Sequence, residues 1–171
     1  MAKYYYYLVA ALPYLKFEEK PPINKTEFIS ECEKWLSPGH MRNLLTVDVS
    51  GQEIVRRETP LTLKWKVFDE DLRKIITKAR WSKKTGASFK VPEKIQTVIE
   101  QATPLLVEMK FERIRWDFLE GESSKYCFDI NWIILYFLKL QILNRIAIFN
   151  KDEGEKFFYN LCEVNHEKAI G

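Results

Sequence analysis

Residues 130–149, INWIILYFLKLQILNRIAIF, are the most apolar stretch of this 171-residue chain and limit its possible folds more than any other segment. The run is about as long as a membrane span, yet Lys139, Gln141, Asn144 and Arg145 lie within it, and hydrocarbon strongly disfavours such groups. The stretch is therefore expected to be a helix buried inside a soluble protein. On a helical wheel Asn131, Gln141, Asn144 and Arg145 share one arc while almost everything else is aliphatic or aromatic, so only a narrow strip is left for water. Lys139 falls outside that strip. Asp129 is placed to cap the first turn.

A helix buried on most sides needs amphipathic neighbours, and the rest of the chain supplies them. Thr59-Pro60 is a cap followed by proline at the first helical position, and Leu61, Trp65, Phe68, Leu72, Ile75, Ile76 and Ala79 follow at three-and-four spacing. This predicts a long helix to about Lys84, closed by Gly86. Asn24 or Thr26 caps an earlier helix whose inner residues are Phe28, Ile29, Cys32, Trp35 and Leu36, and Ser37-Pro38 opens a short one to about Leu45. Pro92 starts another, with Ile95, Val98, Ile99 and Ala102 inward. Thr103-Pro104 starts the helix over 105–119, with Leu105, Met109, Glu112 and Trp116 near one face and Leu106, Ile114 and Phe118 broadening it. Residues 120–125 around Gly121 are expected to be a polar loop. Asp152 caps a last helix with Phe157, Phe158, Leu161 and Cys162 inside. Residues 4–12 are open to strand or helix, and 47–57 to a small hairpin at Ser50-Gly51 or an irregular loop. The fold class is mainly α: a single helical-bundle-like domain over residues 1–171, with room for a short N-terminal strand or that hairpin.

Composition narrows the function classes without naming one. Hydrophobic residues at 46% against only 6 Gly and 7 Pro exclude disordered and fibrous chains. A net charge of +3 is too small by itself to demand a nucleic-acid partner. Cys32, Cys127 and Cys162 are odd in number and far apart, which points away from disulfides and zinc and toward a reducing, cytoplasmic setting. The N-terminal run carries four tyrosines and no A-x-A site, a poor match to a cleaved signal.

Chemical motifs are sparse. There is no P-loop, no G-x-S-x-G and no glycine-rich phosphate fingerprint. Glu163 and His166 form one E-x-x-H, but a di-metal bundle site needs two, and the other histidine, His40, falls in a surface helix, so no metal and no cofactor is expected. Glu108 and Glu112 lie one helical turn apart, but paired carboxylates alone do not make an acid–base site, and Glu112, Arg113, Arg115 and Asp117 are accounted for as exposed ion pairs decorating the same helix. Cys32 and Cys162 lie on inner helical faces as small hydrophobes. No catalytic residues are assigned and the chain is read as a non-enzyme.

Two constellations remain. Between Leu72 and Pro92 there is no acidic residue, while Arg73, Lys74, Lys78, Arg80, Lys83, Lys84 and Lys90 are present with Trp81 among them, close to the apolar stripe. The segment 73–90 could bind nucleic acid by tracking phosphates and stacking a base, but a solvated face that docks an acidic protein partner is the better reading. The interaction residues are then Arg73, Lys78, Arg80, Trp81, Lys83 and Lys84. Gln141 and Arg145, four apart on the buried helix, are a structural polar pair, with the Arg145 fork expected to meet a carboxylate from residues 69–71 or Asp117.

The stretches YYYYLVAALPYLKFEEKPPI, EFISECEKWLSP, KWKVFDEDLRKIITKARWSKKTG and FDINWIILYFLKLQILNRIAIFNKDEGEKFF resemble an uncharacterised bacterial family whose members tend to be encoded among V-type ATP synthase subunits. More distantly, the aromatic N-terminal run and the apolar helix ending in Leu143-Asn144-Arg145 are similar to the C/d family of V-type ATPase subunits, all-helical proteins between the membrane rotor ring and the central stalk. The resemblance implies a non-enzymatic subunit or assembly factor. Its partners would be other V-type ATP synthase subunits, and it would reach the membrane only through them.

Overall fold

The computed structural model describes residues 4–49, 58–86, 88–101 and 103–148. Among them are seven helices and no strand: α1 (Tyr6–Ala11), α2 (Lys25–Trp35), α3 (Pro38–Leu45), α4 (Pro60–Thr85), α5 (Glu93–Ile99), α6 (Pro104–Ser123) and α7 (Ile130–Ile148). The protein is mainly α. The helix expected after Asp152, together with Cys162, Glu163 and His166, lies outside the described residues, as does the Ser50-Gly51 turn.

The caps follow the local chemistry. Asn24 accepts from the Glu27 amide at 2.8 Å while the Glu27 carboxylate takes the Asn24 amide, a reciprocal box that satisfies two orphan donors of α2. Thr59 and Thr103 each accept from the amide three residues on, that of Thr62 and of Leu106, and each is followed by proline. Gly86 closes α4 at φ 71°, a left-handed conformation that glycine adopts without penalty. The open choice at residues 4–12 resolves as helix α1: with no neighbouring strand among the described residues, a helix pairs its own backbone groups, and it buries Leu8.

Helix α7 is the axis of the fold, packed against α3, α4 and α6. Its residues from Ile133 through Leu143 are all buried, and with Leu8, Phe28, Cys32, Leu44, Leu61, Trp65 and Leu119 they form the main core. Phe28 stacks against Phe137 at 5.2 Å and Tyr136 at 5.4 Å. A second, smaller core of Leu72, Ile76, Ile95, Val98 and Phe111 joins the far half of α4 to α5 and α6, and Phe68 touches both.

Two expectations require correction. Residues 120–123 continue α6 through Gly121 instead of forming a loop. Gly121 lies in the last turn of α6, where a helical glycine costs at most about 1 kcal/mol, which burial of Leu119 and of Glu122, paired to Lys64 and Lys125, offsets. The polar arc of α7 is not a solvent-facing strip along its length either: only Asn144 and Arg145, toward its end, are partly exposed. Asn131 and Gln141 are buried, and Gln141 clips the chain after α3, donating to the Val47 carbonyl at 3.0 Å and accepting from the Val49 amide at 2.9 Å. The arc looks inward because that non-helical segment has backbone groups which must be paired once buried. Lys139, off the arc, is mostly covered too: its ammonium lies over the Trp116 ring and reaches Glu120 at 2.5 Å.

Candidate functional site

The charged residues of α4, α6 and α7 converge on one side of the second core. Asp69 sits on the α4 stripe between Trp65 and Leu72 and is 2% exposed. It accepts from Arg73 Nε at 2.6 Å and from Arg115 Nε at 2.8 Å. Arg115, buried on α6, also donates to Glu112 Oε1 at 3.0 Å, and Arg145 of α7 reaches the same oxygen at 3.3 Å. Arg73 extends further to the Val49 carbonyl at 3.0 Å. Three helices and the segment after α3 are thus joined by one network of guanidinium and carboxylate groups. At its rim Arg80 pairs with Glu108 at 3.2 Å. Arg73, Arg80, Arg115 and Arg145, with Glu108, Thr77, Ile76 and Phe111, line a cleft of about 340 Å³.

Glu112 is fully buried, and its second oxygen has no hydrogen-bond partner among the described residues. Burial raises its carboxyl above the ordinary 4.5, outweighing the opposing pull of Arg115 and Arg145. The folded protein therefore holds this proton to higher pH than the unfolded chain does. The associated stability is full below the unfolded value and is lost as pH rises through the folded one. Glu112→Gln cannot titrate. The expected result, in urea denaturation between about pH 4 and pH 7, is that the wild type loses stability relative to this variant as pH rises. A difference that is flat or grows with pH contradicts the assignment.

The predicted interaction residues divide into two groups. Arg73 and Arg80 belong to the cleft, and both are engaged by carboxylates. Lys78 lies over Phe89, and Lys74 pairs with Glu70. The expectation that Trp81 lies close to the apolar stripe is corrected: it is 59% exposed. The stripe passes through Ile76 and Ala79, which turns position 81 outward on the last turns of α4. Lys83 and Lys84 flank a neighbouring cleft with Ile99, Pro104 and Val107 and have no carboxylate partner among the described residues.

Gln141 and Arg145 do not act as a pair: Gln141 holds backbone, and Arg145 meets Glu112 instead of residues 69–71 or Asp117. Asp69 is already taken by two arginines, and Asp117 faces outward to Arg113 at 2.8 Å. The expectation that Glu112 and Arg115 form exposed pairs is also overturned, since both are buried. Sequence reasoning offered Asp69 only as a partner for Arg145 and Arg115 only for exposed pairs, and missed that the two are buried together, although each occupies a stripe position: Asp69 is four after Trp65, and Arg115 is four after Phe111 and four before Leu119. It also missed the exposed aromatics Tyr4, Tyr6 and Tyr7 on the N-terminal side, and the expectation that Trp35 faces inward is corrected, since it is exposed and stacks on Tyr7.

His40 accepts or donates a 2.6 Å bond with the Tyr5 hydroxyl. Cys32 is buried and its thiol is pushed up to about 12 by desolvation, so it stays protonated at neutral pH. Among the described residues no group of His, Cys, Asp and Glu is placed to hold a metal ion, and no helix is long and apolar enough to cross a membrane.

No curated protein and no solved structure matches the chain. One family profile does, over residues 73–167, more than half of the sequence and a span that contains all four arginines of the cleft. The chain belongs to the family described as protein of unknown function (DUF2764).

Proposed function

We propose that this protein is a non-catalytic subunit or assembly factor of a bacterial V-type ATP synthase, acting in the cytoplasm as a helical docking module at the central stalk or rotor ring. The reading rests on the resemblance of the quoted stretches, and the observation that carries it is the end of α4. There Trp81 is exposed with Lys78 and Lys84 three residues to either side on the same helix, an aromatic anchor flanked by cations, and Lys83 and Lys84 border the neighbouring cleft. Interfaces concentrate binding energy on such anchors, while charge orients the encounter with an acidic partner. The cleft groups nearby are engaged in ion pairs that hold helices together, which favours a packing role over a reactive one.

Affinity purification of the full chain from its native host tests this. Recovery of ATP synthase subunits is expected, together with loss of that recovery in a Trp81→Ala, Lys83→Glu, Lys84→Glu variant. Recovery of the native chain without any such subunit overturns the proposal. Nucleic acid is the second reading, because the same exposed Trp81 and lysines can stack a base and meet phosphates. It requires salt-sensitive retention of a labelled oligonucleotide that is lost on Arg80→Glu with Lys83→Glu. The acidic Asp69, Glu70 and Asp71 just upstream on α4 interrupt the continuous cationic surface that a nucleic-acid backbone would track, which weighs against it.

A further inference from the structure

We infer that the cleft between α4, α6 and α7 lined by Arg73, Arg80, Arg115 and Arg145 is a binding site for a small phosphorylated ligand. Four guanidinium groups meet three carboxylates there, Asp69, Glu108 and Glu112, which leaves a formal excess of one positive charge. The excess is larger in donors than in charge. A guanidinium carries five N–H groups, and contacts among the described residues use two from Arg73, one from Arg80, two from Arg115 and one from Arg145. The carboxylates hold these side chains in place, so an incoming anion meets donors whose positions are already restricted.

The geometry favours phosphate over carboxylate. The arginines come from three different helices, and a tetrahedral oxyanion accepts from several directions, whereas a carboxylate accepts within its own plane. The volume of about 340 Å³ falls within the range of about 300–1,000 Å³ common for small-molecule sites. Ile76 and Phe111 add an apolar wall, so the ligand has an organic part besides its phosphoryl group. Glu112 tunes the site from behind: when its carboxyl is neutral the excess of positive charge rises by one. Trp81, Lys83 and Lys84 are not among the groups lining this cleft.

Isothermal titration of the full chain with inorganic pyrophosphate, at ionic strength balanced with chloride, tests the inference. Saturable binding is expected, with succinate weaker. Arg80→Gln lies at the exposed rim and leaves the buried network intact. Its expected effect is a loss of about tenfold or more, the size of one hydrogen bond to a charged group. Arg145→Lys keeps the charge opposite Glu112 but removes the fork and should also weaken binding. Lys83→Gln with Lys84→Gln should leave it unchanged, which separates this site from the docking patch. Absence of saturation at millimolar pyrophosphate, binding unaltered in both arginine variants, loss in the lysine variant, or tighter binding of succinate overturns the proposal.

Discussion

Asp69→Asn is expected to lower the folding stability by about 3–5 kcal/mol, the usual consequence of removing one partner from a buried ion pair. Asp69 is 2% exposed and takes hydrogen bonds from two guanidinium groups, at 2.6 and 2.8 Å. Arg115, itself buried, would keep only Glu112 as a carboxylate partner, and that oxygen is already shared with Arg145. An asparagine offers one neutral acceptor in place of two charged ones, so the guanidinium remains desolvated without full compensation. The network is expected to be worth far less than its parts: Asp69→Leu with Glu112→Gln and Arg115→Met should recover most of the loss, because the buried charges are then removed together instead of being left unpaired. Urea denaturation of the three proteins measures this. A loss below about 1 kcal/mol for Asp69→Asn would show that the carboxylate does not compensate the buried arginine.

Leu138→Ala is expected to cost about 2–5 kcal/mol, through lost transfer free energy and the cavity left behind. Leu138 is fully buried in the main core on α7, with neighbours from several helices that cannot all relax into the gap. The same substitution at Leu106, 41% exposed near the start of α6, should change stability by no more than about 0.5 kcal/mol. Thermal or urea unfolding compares the two. A small loss at Leu138 would mean that α7 is not the axis of the core. Its readout is independent of Asp69→Asn, because Leu138 lies in the main core and not in the charged network.

The helices were legible because their boundaries are written locally. Asn24 with Glu27, Thr59-Pro60, Thr103-Pro104 and Gly86 each satisfy or forgo specific backbone hydrogen bonds, whatever the helix later packs against. The failure at Gly121 has the opposite origin: a local preference to stop was overridden by burial of Leu119 and Glu122 on either side. The aromatic run at residues 4–12 carried no local reason to choose, and with no strand to pair with among the described residues it became α1.

The charged cleft was legible only in part. Arg73 and Arg80 stood out in a basic segment, and Arg145 stood out against an apolar helix. Arg115 did not, since Glu112 and Asp117 offered plausible partners on its own helix to it and to Arg113. Which of several equivalent local ion pairs forms depends on what the neighbouring helices bring within hydrogen-bonding distance.

From the order of residues alone came the helical class, the caps and the burial of the helix after Asp129, since apolar periodicity and backbone hydrogen bonding act over a few residues. Tertiary structure decided that the polar arc of that helix would hold backbone and a carboxylate rather than water, and that four arginines distant in sequence would share one cleft. Electrostatic and hydrogen-bond partners are chosen by proximity in space, and a linear pattern does not encode proximity between helices.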